Sequence, residues 1–201
     1  MAVLLLRLDG PMQSWGTRSR FDDRDTERFP SKSGVIGLIC AAMGKPREAP
    51  LDDLAALRMA ARADVPGRLE TDYQTAMDIP TASGSGSRTL PSLRHYLADA
   101  AFLVGLEGDA ALLAQVDAAL RRPVWPLSLG RKSFLPGEPI WWRDGLLPDG
   151  ELREAMTGAP WLGAGRRHLR GWRRPAELEF EWEAPSGRGL PRADVPLSFA
   201  L

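Results

Sequence analysis

Cysteine is all but missing from this 201-residue chain: Cys40 stands alone, so neither a disulfide framework nor a cysteine metal cluster can form within it. A reducing compartment fits that usage. Net charge is missing too, because 26 basic residues cancel 26 acidic ones. No global field draws the chain onto nucleic acid, and any such contact has to come from a local patch. Long apolar runs are lacking as well. The first eight residues are apolar but far too short to span a membrane, have no basic leader, and run into a turn instead of a cleavage site. The expectation is a cytoplasmic protein without a membrane partner. Histidine occurs twice, as His95 and His168, far apart in sequence, which is a weak basis for acid–base chemistry. There are no internal repeats.

What remains is enough for a real core. Apolar residues make up 44% of the chain, which suits one moderately large domain. Val3 to Asp9 is a continuous apolar run with one arginine, the pattern of a central strand covered on both faces. The next twenty residues mix Arg18, Arg20, Arg24 and Arg28 with Asp22, Asp23, Asp25 and Glu27, as in a long surface loop. Ser31 then caps a helix that Gly44 stops, with Val35, Leu38, Ile39 and Ala42 on one side and a small-residue stripe of Gly34, Gly37 and Ala41 open to close packing. A short helix over 52–58 leads into an alternating strand, and Leu69 to Met77 reads as another. Residues 79–91 read as a polar linker, and extended structure resumes at Arg94, so the pair forms a long hairpin with a mobile tip. A buried strand, Phe102 to Leu106, precedes a helix capped by Asp109 and ended by Pro123. Beyond residue 140 the chain reads as irregular until Glu177–Glu183, where one apolar and one acidic face alternate as in a half-exposed strand. This element order is what an α+β, ferredoxin-like or RRM-like layer gives.

Three segments carry chemistry suited to RNA, which needs donors for phosphates and flat surfaces for unstacked bases. After the apolar run Val124-Trp125-Pro126-Leu127 comes a basic step between glycines, where Arg131, Lys132 and Ser133 offer adjacent donors; its plain alternative is an exposed turn after a strand. Lys32 and Ser33 start the predicted helix, where unpaired backbone N–H groups favour an anion, although Ser31 also serves as an ordinary cap. Gln13, Ser14 and Trp15 leave the first strand with polar groups and a ring that either stacks on a base or plugs the core; Arg18 and Arg20 extend that loop. A further cluster of Arg166, Arg167, His168, Arg170, Arg173 and Arg174, between Trp161 and Trp172, suits RNA and protein equally. Nucleotide hydrolysis lacks support, because Ser31-Lys32-Ser33-Gly34 has no upstream glycine at P-loop spacing. Asp22, Asp23 and Asp25 lack the glycine and glutamate of a calcium loop, so no metal or other cofactor is expected.

Taken together, Gly10–Gly16, Phe29–Leu38, Arg94–Phe102, Leu129–Gly137 and Asp194–Phe199 resemble, in order and over essentially the whole chain, the CasD family. This is the type I-E branch of the Cas-five group of RAMP proteins, subunits of the CRISPR surveillance complex Cascade. The resemblance implies a single RAMP domain over 1–201. A ferredoxin-like core would occupy 1–123 with a β-hairpin thumb at about 73–95, and a basic Gly-rich loop with an irregular C-terminal β extension would occupy 124–201. It implies a non-catalytic subunit that holds the 5' handle of mature CRISPR RNA and caps the backbone. It would contact the large subunit and the adjacent backbone subunit, and meet target DNA only through the guide duplex. The expected clamp is Gln13, Ser14, Trp15, Arg18, Arg20, Lys32, Ser33, Arg131, Lys132 and Ser133, with Tyr73, Arg88, Arg94 and His95 on the thumb. Relatives in another subtype are metal-independent endoribonucleases. The residues available for that alternative are His95, His168, Tyr73, Tyr96 and Lys132, and none is assigned a catalytic role. Members usually continue past Asp194–Phe199 into a basic tail, whereas this sequence ends at Leu201.

Overall fold

The computed structural model describes residues 1–18, 22–165 and 174–184. Arg20, the arginines at 166–173, His168, Trp172 and the Asp194–Phe199 segment lie outside them. The chain forms a mixed α+β fold with two sheets. In chain order the elements are β1 (Ala2–Asp9), β2 (Met12–Gln13), β3 (Asp23–Arg24), α1 (Lys32–Met43), α2 (Asp52–Ala55), β4 (Arg58–Val65), β5 (Arg68–Pro80), β6 (Ser87–Ala98), β7 (Ala101–Gly108), α3 (Ala110–Arg121), β8 (Trp141–Leu147), α4 (Leu152–Gly158), a single 3-10 turn (Leu162–Gly165) and β9 (Glu179–Trp182). The main sheet runs β8-β1-β7-β4-β9, antiparallel throughout.

Alternation along β1 sorts its side chains to two cores. Leu4, Leu6 and Leu8 face α1 and α3, where Val35, Ile39, Leu113 and Val116 meet them. Val3 and Leu5 face α4, against Leu152 and Met156. Both long helices carry the caps expected for them: Ser31 accepts from the Gly34 N–H, Asp109 accepts from the Leu112 N–H, and Gly44 ends α1 at φ 69°. The back core depends on a glycine. A Cβ on Gly105 would lie 2.6 Å from the Met156 sulfur, so α4 sits this close to β7 only because none is there.

Three expectations are corrected here. The region after 140 is not irregular: β8 pairs with β1 on the far side of the expected boundary at 123, and α4 follows. Asp144 at φ 57° and a register shift opposite Leu4/Leu6 break its alternation, which hides it from a periodicity reading. Residues 79–91 are not mainly a linker, since β5 and β6 pair from Arg68↔Ala98 out to Pro80↔Ser87 and leave only 81–86 as the tip. No strand precedes the basic step, because the chain from 122 to 140 has no helix or strand.

The second sheet is built on β6. One edge pairs with β5; the other pairs antiparallel with β2 and, further out, parallel with β3 at Asp23↔Leu93 and Arg24↔Arg94. The root of the hairpin is thereby tied to the loop that leaves β1.

Candidate nucleic-acid interface

Three of the predicted segments converge on one groove of about 1550 Å³. Its floor is Ser14, Trp15 and Gly16; one wall is the outer side of α1 from Ser33 to Ala41; the other is the irregular stretch from Trp125 to Lys132. Five cations border it, Arg24, Lys45, Arg47, Arg131 and Lys132, and among the described residues no aspartate or glutamate does. In a chain whose charges balance, this is the local patch that a polyanion requires.

The wall is held to the floor by backbone contact. The Ser14 N–H donates to the Leu129 carbonyl at 3.0 Å, and Gly130 sits at φ 92° with its α-carbon against Ser14. A Cβ there would come within 1.8 Å of the Ser14 carbonyl oxygen, so this turn requires glycine. The α1 wall is low for a related reason. The Trp15 ring packs against Gly34, where a Cβ would meet it at 2.9 Å, while Gly37 and Ala41 are left facing the groove with no bulk beyond a methyl. The stripe expected to receive another element thus receives one ring and otherwise lines open space.

Several expected donors are taken up by the fold. Gln13 is fully buried: its amide N–H groups donate to the Leu8 and Ala100 carbonyls at 3.0 and 2.8 Å, and its oxygen accepts from the Trp15 indole at 3.2 Å. Trp15 is 1% exposed, a plug instead of a stacking surface. The Ser14 hydroxyl lies 3.4 and 3.3 Å from the Asp25 and His95 carbonyls and shares its one proton between them. Lys32 is not aimed at an anion from outside, because its ammonium lies 2.7 Å from Glu183 at the end of β9. Gln13, Ser14 and Lys32 each meet a partner far away in sequence, Ala100, His95 and Glu183, which is why local reading offered them to a ligand; the Trp15 indole is satisfied locally by Gln13.

Arg131 does two things at once. One nitrogen donates to the Arg24 and His95 carbonyls at 3.2 and 2.9 Å, and the guanidinium lies over the Phe134 ring, 5.3 Å from its centroid. Burial first, and then the charges of Arg94 and Arg24, hold it below the ordinary arginine value, with Asp72 and Asp25 opposing. Three guanidiniums thus gather where the groove meets the hairpin root. Lys132 and Ser133 are exposed beside it, and Ser33 borders the groove on the opposite wall. Arg18 stands apart beside an acidic hollow formed by Asp22, Asp23, Asp25 and Glu27.

On the hairpin, Tyr73 and Arg88 are exposed, and the Arg94 Nε–H donates to the Ser92 hydroxyl at 3.2 Å. Both ring nitrogens of His95 have neighbours: Nδ1 lies 2.8 Å from the Thr71 hydroxyl and Nε2 3.3 Å from Asp23. Tyr96 packs against Phe134. Arg47 and Trp125 were not anticipated. Arg47 carried no local motif, and Trp125 was absorbed into an apolar run. Its signal was Pro126, which cannot donate to a strand ladder and argued against one there.

Residues 3–200 match the family described as CRISPR-associated protein (Cas_Cas5). The CRISPR system Cascade subunit CasD of Escherichia coli (strain K12) is 31% identical over 159 residues, covering 69% of each chain. Among solved structures, one titled "Crystal structure of Cas protein" superposes with a TM-score of 0.71 at 45% identity, covering 92% of this chain and 82% of that one. A chain of a "CRISPR RNA-guided surveillance complex" gives 0.64 at 40% identity, covering 69% of this chain and 61% of that one.

Proposed function

This chain belongs to the Cas5 family of CRISPR-associated proteins, and we propose that it serves as a non-catalytic Cascade subunit whose groove holds the 5' handle of a mature CRISPR RNA. The observation that carries the reading is the groove itself, with five bordering cations and, among the described residues, no carboxylate. A hooked single strand is held by phosphate clamps and splayed bases, not by groove reading. Lys132, Ser133, Ser33 and the Arg24/Arg94/Arg131 group are the phosphate donors in this reading, joined by Arg47. Gln13, Ser14 and Trp15 shape the floor and do not touch the handle through their side chains. Sheet order β8-β1-β7-β4, with α1 and α3 on one face, supports a ferredoxin-like core of the RAMP type. The hairpin of β5 and β6 serves as the thumb, directed at the adjacent backbone subunit and the guide–target duplex. Remaining surface meets the large subunit, and target DNA is met only through the guide.

The endoribonuclease alternative draws less support, since its histidine is engaged on both ring nitrogens by Thr71 and Asp23. The test is to incubate the purified protein with labelled precursor repeat RNA and mature handle RNA in EDTA, reading cleavage and ultraviolet crosslinks from the same samples. Crosslinks on peptides containing Arg47 and Lys132, with no cut, are the expected result. A defined cut abolished by His95→Ala would replace the handle-holding reading with the nuclease.

A further inference from the structure

A polyanion groove needs more than charge to hold a single strand in one register, because phosphates are identical along a chain and only bases mark position. The ring that local sequence offered for this, Trp15, is sealed in the floor. Trp125 is 46% exposed and stands on the groove wall. Its backbone is fixed, because the Val124 and Trp125 N–H groups donate to the Ala42 and Ala41 carbonyls near the end of α1 at 2.9 and 3.2 Å, and Pro126 follows. The Val124 side chain closes against Gly44, where a Cβ would meet it at 3.0 Å. A large, half-exposed ring therefore borders the groove on a segment whose backbone is tied to the end of α1.

We propose that Trp125 is the aromatic platform of this groove, on which one unpaired nucleobase of a single-stranded RNA stacks, with the neighbouring phosphates on Lys132 and Arg47. The inference rests on the handle-holding reading and deepens it by assigning a base position that the expected clamp does not contain. The low wall of Gly37 and Ala41 leaves space for a flat group beside the ring, and an exposed ring among bordering cations suits a polyanion that carries flat bases. At about 1550 Å³ the groove exceeds the ~300–1,000 Å³ usual for small-molecule clefts, which leaves room for a segment of a polymer.

The experiment measures binding of the full chain, at low salt where weak RNA binding is measurable, to a single-stranded oligoribonucleotide of handle length and to an abasic oligomer of the same length. Trp125→Leu and Trp125→Phe are compared with the double variant Arg47→Ala/Lys132→Ala, with melting curves run on each to confirm folding. Trp125→Leu is expected to lower affinity for the RNA by about tenfold and leave the abasic oligomer unchanged, while Trp125→Phe keeps most of the RNA affinity. Equal loss on both oligomers, or loss on neither, overturns the platform. So does impaired assembly with other Cascade subunits at unchanged RNA affinity, which would assign Trp125 to a protein interface. The double variant reads the underlying proposal separately: loss on both oligomers with a shallower salt dependence supports the groove whatever Trp125 does. No loss on either would sink the groove itself.

Discussion

Arg62 and Arg131 both donate to backbone carbonyls in folded surroundings, yet they sit in opposite electrostatic settings. Arg62 lies under α4 at 1% exposure, bidentate on Asp64 at 2.5 and 2.9 Å and bonded to the carbonyls of Met156, Ala159 and Pro160. Asp64 in turn accepts from the Leu162 N–H, and its carbonyl from the Trp161 indole. Every charge there has a fixed counter-charge inside the protein. Arg131 is half-buried among Arg24 and Arg94, whose charges outweigh the opposing ones of Asp72 and Asp25. The difference separates a cation that closes the fold from one that leaves positive potential for something outside it.

The largest way to test that contrast is to remove Arg62. Arg62→Ala strands Asp64 in the back core, and we expect a loss of about 3–5 kcal/mol, read as a thermal midpoint lowered by on the order of 10 °C. A midpoint within a degree or two of the parent would mean that the clamp contributes little. Gly130→Ala ranks next, because it meets both the Ser14 carbonyl and a left-handed backbone, at a cost of at least about 2 kcal/mol. Denaturant melts should record that cost, and crosslinks at Lys132 should fall with it; an unshifted melt would show that the wall does not rest on the floor as described.

Charge removal at the groove should invert the pattern. Arg47→Ala/Lys132→Ala is expected to stay within about 0.5 kcal/mol of the parent in stability, while the salt dependence of RNA binding falls by a log–log slope of about 1.4 for two phosphate contacts. A stability loss with an unchanged slope would make these residues structural. The smallest effect belongs to Lys32→Ala, which removes the pair with Glu183. With Lys32 14% and Glu183 40% exposed, about 1 kcal/mol or less is expected, with RNA affinity unmoved; a drop in affinity would return Lys32 to the clamp.

Much of the scaffold was legible because it obeys local rules. β1 is an apolar run interrupted only by Arg7 before it ends at Asp9, α1 and α3 carry their caps in sequence, and β9 alternates cleanly. What escaped was structure whose reason lies elsewhere in the chain. The outer hairpin buries almost nothing, so its strands owe their form to cross-strand pairing and show no apolar period. Alternation in β4 pointed to a polar side, but Arg62 and Asp64 on that side are sealed by α4. At the groove, Ser33, Arg131 and Lys132, which composition singled out, border one cavity from opposite walls. Which side chains stay available was not legible: Gln13, Trp15 and Lys32 are satisfied by Ala100, Gln13 and Glu183 respectively, partners supplied largely by the tertiary fold.

The parallel pairing of β3 with β6 has a mechanical consequence. Arg24 borders the groove and is in register with Arg94 at the hairpin root, so one ladder step joins the groove to the hairpin. Beyond that step the hairpin is a lever arm. The part of β5 beyond the step runs from Tyr73, opposite Leu93, to Pro80, about 26 Å at the usual strand rise of ~3.3 Å. A tilt of about five degrees at the fulcrum carries the end of that arm by about 2 Å. In the proposed reading, a strand seated against Arg24 bears on the fulcrum of this arm, so its seating and the position of the hairpin's far end are mechanically linked.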